Sequence, residues 1–211
     1  MENQITSRQK QLLEIIYDFM RNAGYPPSFE EMRDIIGVAS NQSIIDLLDK
    51  LKKRNLIKKN EGARSIAIQP LGYKILGRPA LAPVLGVTTA GAPAEMIEIT
   101  GEWSQVSADV ARLDSEIFIL RVKGDSMINA GIDDGDMILV QTKKEFVSGN
   151  IVLADCDGES TIKRFVSEDK PPYVYLKPEN PVYNKILFTD TVRLKGKVIS
   201  VLKNGQWKYV K

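Results

Sequence analysis

Ser28-Phe29-Glu30-Glu31-Met32-Arg33-Asp34-Ile35-Ile36-Gly37-Val38-Ala39-Ser40-Asn41-Gln42-Ser43-Ile44-Ile45-Asp46-Leu47-Leu48-Asp49-Lys50-Leu51 reads as two short helices joined by a tight turn. Ser28 and Glu31 form a capping box, in which the hydroxyl and the carboxylate each satisfy a backbone amide at the helix start. The helix they open carries Met32, Ile35 and Ile36 and ends at Gly37, a residue free to adopt positive φ. After Val38-Ala39, Ser40 or Asn41 can cap the next helix, whose apolar stripe is Ile44, Leu47, Leu48 and Leu51.

Upstream, Thr6-Ser7-Arg8-Gln9 is another capping box, followed by Leu12, Leu13, Ile16 and Met20 on one helical face. Gly24 and Pro26-Pro27 stop that helix before Ser28. Downstream, Leu56-Lys59 and Arg64-Ile68 read as strands joined through Asn60-Glu61-Gly62-Ala63. Three short helices followed by a hairpin is the order of a winged helix-turn-helix, whose third helix enters the major groove of DNA.

Charge follows the same division. Up to Ala80 there are thirteen basic and nine acidic residues, and beyond it sixteen basic and eighteen acidic. Seven of the basic residues lie between Lys50 and Arg64, against the single acid Glu61, as phosphate contact requires. The side of the third helix opposite its core stripe presents Ser40, Asn41, Gln42, Ser43, Ile45 and Asp46, which we expect to meet base edges. Gln42 suits adenine, Ile45 a thymine methyl and Asp46 a cytosine amine. Ile45 lies off the core stripe, so it needs either that methyl contact or a packing partner not foreseen from the pattern. Ser28, Lys52, Lys53 and Arg64 complete the expected DNA-contacting set.

From Gln69 to Pro83, glycines and prolines among small apolar residues show no period of 3.6 or 2, and we expect a flexible linker. The expected organisation is therefore a DNA-binding domain at residues 1–68, a linker at 69–83 and a second domain at 84–211. In the second domain, strand-like runs at 117–122, 137–140, 150–154, 160–165, 173–176 and 192–201 alternate with turn signals such as Asp133-Asp134-Gly135-Asp136 and Asp157-Gly158. The class expected for the whole chain is α+β, with a mostly-β carboxy-terminal domain.

Composition excludes much chemistry. The chain has 211 residues, 43% of them hydrophobic, enough for one large or two small cored domains. It has no histidine, which rules out Ser-His-Asp and Cys-His catalysis within one chain, and its single cysteine, Cys156, removes the usual zinc ligand sets. Cys156 cannot form an intrachain disulfide and reads as a small packed thiol. No apolar run reaches the roughly 18 residues of a membrane span, and the amino terminus lacks the features of a signal peptide. We read a soluble intracellular protein.

Gly124-Asp125-Ser126-Met127 follows a strand and places a hydroxyl at its end. Taken singly, Ser126 reads as a turn residue. As a nucleophile it needs a base, and without histidine the choices are a lysine or a carboxylate. Lys163 is the candidate, because its neighbours Ile162 and Phe165 can desolvate its ammonium form and release the lone pair. Taken singly, Lys163 also reads as a surface-strand lysine.

Together these motifs resemble the LexA family of repressors. The resemblance spans nearly the whole chain and rests on Ile5-Thr6-Ser7-Arg8-Gln9, Gly24-Tyr25-Pro26-Pro27-Ser28, Gly62-Ala63-Arg64-Ser65-Ile66, Ala90-Gly91, Val122-Lys123-Gly124-Asp125-Ser126-Met127, Gly135-Asp136 and Thr161-Ile162-Lys163-Arg164-Phe165. It implies a carboxy-terminal domain similar to signal peptidases, with Ser126 as nucleophile, Lys163 as general base and the Ala90-Gly91 bond of the same chain as substrate. It further implies repression of DNA-damage genes by a cytoplasmic, nucleoid-associated homodimer on palindromic operators, self-cleavage stimulated by the RecA filament on single-stranded DNA, and no cofactor. The reading helix departs from the better-known family pattern, with Asn41 where a proline is common and Ile45 where an acid often sits, which puts the operator sequence in doubt. The alternatives are a phage-type repressor with the same peptidase domain and a non-cleaving dimeric DNA-binding regulator. A signal-peptidase-like enzyme ranks last, for want of a membrane anchor.

Overall fold

The computed structural model describes residues 5–59, 65–87, 96–106 and 117–210. The chain divides into two compact units, one formed by residues 1–82 with 100–114 and the other by 83–99 with 115–211.

In the first unit, α1 spans Ser7–Asn22, α2 Phe29–Ile36 and α3 Asn41–Lys53. Both capping boxes form: Gln9 N donates to Thr6 Oγ1 at 3.3 Å and Thr6 N to Gln9 Oε1 at 2.9 Å, while Glu31 N donates to Ser28 Oγ at 3.2 Å and Ser28 N to Glu31 Oε2 at 2.6 Å. Ser40 caps α3 and accepts from Ser43 N. Gly37 ends α2 at φ 73°, where a Cβ would be strained. Leu12, Leu13, Ile16, Met20, Met32, Ile36, Ile44, Leu48 and Leu51 are buried and form the shared core. Each such side chain contributes about 1.5–3 kcal/mol relative to its exposure. Ile35, expected in this core, is 51% exposed instead: eight residues make barely two turns of helix, and the face packed against α1 and α3 is filled by Met32 and Ile36. Strands β1 (Ile57–Lys59) and β2 (Ile66–Ile68) pair antiparallel as the expected hairpin.

The stretch expected as a flexible linker is ordered. Residues 70–76 form α4 (Pro70–Leu76), with Pro70 at its first turn and Gly77 closing it in the left-handed region. Tyr73 is buried and meets the Tyr17 ring edge-on at 6.1 Å, and Arg78 pairs with Asp18 while stacking over Tyr17. The helix was illegible because seven residues are too few for a period to show. Its one glycine also looks like a breaker, whereas a Cβ at Gly72 would meet Leu56 O at 2.5 Å, so the glycine marks close packing. Residues 100–106, expected in the carboxy-terminal domain, also belong to this unit: Trp103 Nε1 donates to Gly24 O at 2.8 Å and Val106 N to Ala80 O at 2.9 Å.

Ten further strands follow: β3 (Leu81–Val87), β4 (Met96–Gln105), β5 (Ile117–Arg121), β6 (Met137–Thr142), β7 (Ile151–Cys156), β8 (Glu159–Ser167), β9 (Val174–Lys177), β10 (Ile186–Leu187), β11 (Val192–Lys203) and β12 (Gln206–Tyr209). Among the described residues they form one sheet in the order β10-β9-β8-β7-β11-β6-β5-β3-β4, with β12 beside β11. β3 joins β5 in parallel, and the strands from β5 to β12 pair antiparallel. β7 is buried on both faces. Ile151 and Leu153 join a core with Phe118, Leu120, Met127, Ile138, Val140 and Val198, while Val152 and Ala154 join Leu176 and Val192 in a second. This explains the unbroken apolar run in its sequence.

β11 is the centre of the sheet. It breaks register at Leu194/Gly196 against β7 and at Val198/Ser200 against β6, and such bulges bend and twist a long strand. Gly196 sits between these neighbours, where a Cβ would lie 2.6 Å from Val140 Cγ1 and 2.8 Å from Gln141 O. Gly196→Ala is expected to cost about 1–3 kcal/mol by forcing β6 away. Scanning calorimetry should show the carboxy-terminal unit melting roughly 4–12 °C lower. An unchanged melting temperature would show that β6 yields freely.

Candidate active site

Ser126 lies just beyond β5, at a turn tied down from several sides. Val122 N donates to Asp136 O at 2.7 Å and Gly135 N to Val122 O at 3.0 Å, which holds the segment against the 133–136 turn. Gly124, at φ 92°, donates its amide to Asp134 Oδ1 at 2.6 Å. Met127, 2% exposed, anchors the chain in the core, and the 3₁₀ turn Ile128–Ala130 closes at Gly131. Ser126 itself stays half-buried between these anchors.

Lys163 lies in the middle of β8, opposite Val152 of β7. The expectation that desolvation could act on it agrees with its burial, 7% exposed, and the surface-strand alternative does not. Its Nζ is 2.8 Å from Ser126 Oγ, 2.8 Å from Thr161 Oγ1 and 3.0 Å from Ile162 O. Three acceptors match the three N–H groups of the ammonium form. Burial pushes the Lys163 pKa below the ordinary lysine value, and a thiolate at Cys156 would oppose this weakly. Once Nζ is neutral, its lone pair can receive the Ser126 proton over the same short contact.

Serine and lysine, 37 positions apart, are thus brought together by the sheet. Thr161 was not foreseen. Its signal was available, since it lies two residues before Lys163 and a strand repeats its facing every two residues. Cys156 is half-buried against the second core, and its thiol pKa is raised, first by burial. Ala90 and Gly91 lie outside the described residues.

In α3, Asn41, Gln42 and Asp46 are exposed along the expected reading face, and Gln42 Nε2 donates to Asp46 Oδ1 at 2.9 Å. Ser40 and Ser28 serve as helix caps, and Ser43 and Ile45 are half-buried. Lys52 and Lys53 are exposed at the end of α3. Lys59 lies over the Phe29 ring, 4.4 Å from its centroid. Arg64 lies outside the described residues. No helix among the described residues is long and apolar enough to cross a membrane.

Residues 2–65 match the LexA DNA binding domain family and residues 83–199 the Peptidase S24-like family. The chain is 37% identical to a LexA repressor of Exiguobacterium sp., over 94% of this chain and 97% of that one. It is 36% identical to a LexA repressor of Lactobacillus delbrueckii subsp. bulgaricus, over 94% and 97%, and 34% identical to one of Oenococcus oeni, over 94% and 98%. Two family domains in order, a serine beside a buried lysine in the second, and relatives matched along almost their full length show that this chain belongs to the LexA repressor family.

Proposed function

We propose that this protein represses DNA-damage genes by binding palindromic operators as a cytoplasmic, nucleoid-associated homodimer, and that it ends repression by cutting its own Ala90-Gly91 bond. Residues 1–68 read DNA, with Ser40, Asn41, Gln42, Ser43, Ile45 and Asp46 at base edges and Ser28, Lys52, Lys53 and Arg64 at the flanking backbone. The carboxy-terminal unit, 83–99 with 115–211, dimerises and carries the peptidase. The RecA filament on single-stranded DNA promotes the reaction.

The observation that carries the peptidase reading is the 2.8 Å contact between a buried Lys163 Nζ and Ser126 Oγ. Neutral Nζ takes the hydroxyl proton while Oγ attacks the Ala90 carbonyl carbon. As the C–N bond breaks, the Gly91 nitrogen takes that proton and leaves as an amine, with Ala90 held as an ester on Ser126. Water, deprotonated by the same Nζ, then attacks the ester, and Oγ recovers its proton. Residues 1–90 and 91–211 separate.

The sign of the pH dependence follows. Only neutral Lys163 can act, so the first-order rate should rise with pH through the lysine's lowered pKa, with its midpoint below the ordinary lysine value. Intact-mass measurement of the purified chain at a series of pH values should find the fragments ending at Ala90 and beginning at Gly91. A chain that stays whole at every pH leaves a dimeric, non-cleaving regulator as the better reading.

A further inference from the structure

Ser126 is held at two places, and both holds originate in adjacent residues of β8. Its Oγ contacts Lys163. Its carbonyl accepts from Glu179 N at 2.9 Å, and the Glu179 carbonyl in turn accepts from Asn129 N at 2.9 Å, so one residue brackets the turn from 126 to 129. Glu179 belongs to a strap that leaves β9 after Lys177, which pairs with Arg164. The Arg164 Nε donates to the Glu179 carboxylate, and its Nη1 donates to Gly149 O at 2.7 Å, tying the strap to the loop before β7. Asn180, 9% exposed, adds a side-chain bond to Asp125 O at 3.2 Å, and the Tyr183 hydroxyl donates to the Asp125 carboxylate.

We propose that Arg164 is a positioning residue for self-cleavage: through its ion pair with Glu179 it sets the strap, and the strap sets Ser126 against Lys163. The proposal rests on the peptidase reading above. The Arg164 and Glu179 side chains are 21% and 19% exposed, so water and salt screen the pair less than they would a surface pair. The strap, residues 178–185, lies between β9 and β10 outside the sheet's ladders, with Val182 and Tyr183 exposed, so its placement relative to β8 rests on the Arg164–Glu179 side-chain tie. The base is held separately, by β8 itself and by Thr161 and Ile162. Loosening the strap therefore displaces the nucleophile, while β8, Thr161 and Ile162 still hold the base. A misplacement of about 1 Å between reacting groups can cost on the order of 100-fold in rate.

The test measures self-cleavage of the full chain against pH for Arg164→Gln, Glu179→Gln, Arg164→Lys and wild type. Val201→Ala, which removes methyl groups from the core at a β11 position paired with β6 and β12, serves as a destabilised control. Arg164→Gln and Glu179→Gln should lower the high-pH plateau by about 10–100-fold with the midpoint pH unmoved. Arg164→Lys, which keeps the charge, should fall between them and wild type. If Arg164→Gln does not fold, Glu179→Gln, which keeps the side-chain shape, decides by the same limits. Folded strap variants cleaving within twofold of wild type would overturn the proposal, as would an equal plateau loss in Val201→Ala or a shifted midpoint. A wild-type chain that never cleaves removes the peptidase reading and this proposal with it, whereas a cleaving wild type with equally fast variants removes the proposal alone.

Discussion

Ser126→Ala and Lys163→Met should each abolish self-cleavage, lowering the rate by roughly 1000-fold or more, because a nucleophile and its base act as a unit and the loss of either removes most of the acceleration. Ser126→Ala removes the attacking oxygen. Lys163→Met keeps an unbranched side chain, one heavy atom shorter, but has no amine lone pair to take the Ser126 proton. Raising the pH should not rescue the methionine variant. Cleavage of that variant at near wild-type rate in alkali would show that another group, or hydroxide, is the base.

The same variant carries a stability signature with a definite sign. Burial lowers the Lys163 pKa on folding, so between that lowered value and the ordinary 10.5 the unfolded chain binds more protons than the folded one. Stability contributed by this site therefore rises as pH climbs through that window and is lost as pH falls. At neutral pH burying this amine is a cost, which methionine removes, so Lys163→Met should melt higher than wild type there and lose that advantage near pH 10.5. A thermal scan at both pH values reads this directly. A methionine variant that melts lower at neutral pH would mean the three hydrogen bonds of Nζ outweigh its desolvation.

The second large effect concerns DNA. On a duplex with two operator half-sites, separating residues 1–90 from 91–211 should weaken binding by about 100- to 10,000-fold, because the second reader then no longer benefits from the effective concentration set by its tether. On a duplex with one half-site the intact chain and the amino-terminal fragment should bind alike. Gel-shift titration at fixed salt on the two duplexes separates these cases. Equal affinities on the two-site duplex would rule out coupling through the carboxy-terminal domain as the source of repression.

The three helices and the hairpin of the amino-terminal unit were legible, because their information is local. Thr6 with Gln9 and Ser28 with Glu31 announce helix starts within four positions, and Leu12, Leu13, Ile16 and Met20 reveal a face within three turns. Pattern failed where an element was short or its partner distant. Ile35 follows the apolar pattern yet faces solvent. Helix α4 hides in seven residues with a glycine packed where a Cβ would lie only 2.5 Å from Leu56 O. β3, β4, β10 and β12 were not foreseen either, since a strand's partner, rather than its own spacing, decides whether it pairs.

For the site, composition did the excluding: without histidine, a serine nucleophile is left with lysine or a carboxylate, and an apolar neighbourhood singled out Lys163. By itself, then, the sequence determined the two-part organisation, the helix order of the DNA-binding unit and the chemical identity of the candidate pair. Only the tertiary structure decided that Lys163 is buried, that Thr161 shares its amine, and that Arg164 reaches Ser126 through Glu179. Helix caps and periodicity are written in residues three or four apart. The environment of Lys163, by contrast, is made by β7, β8 and the turn at 126, whose closeness exists only once the sheet has assembled and excluded water.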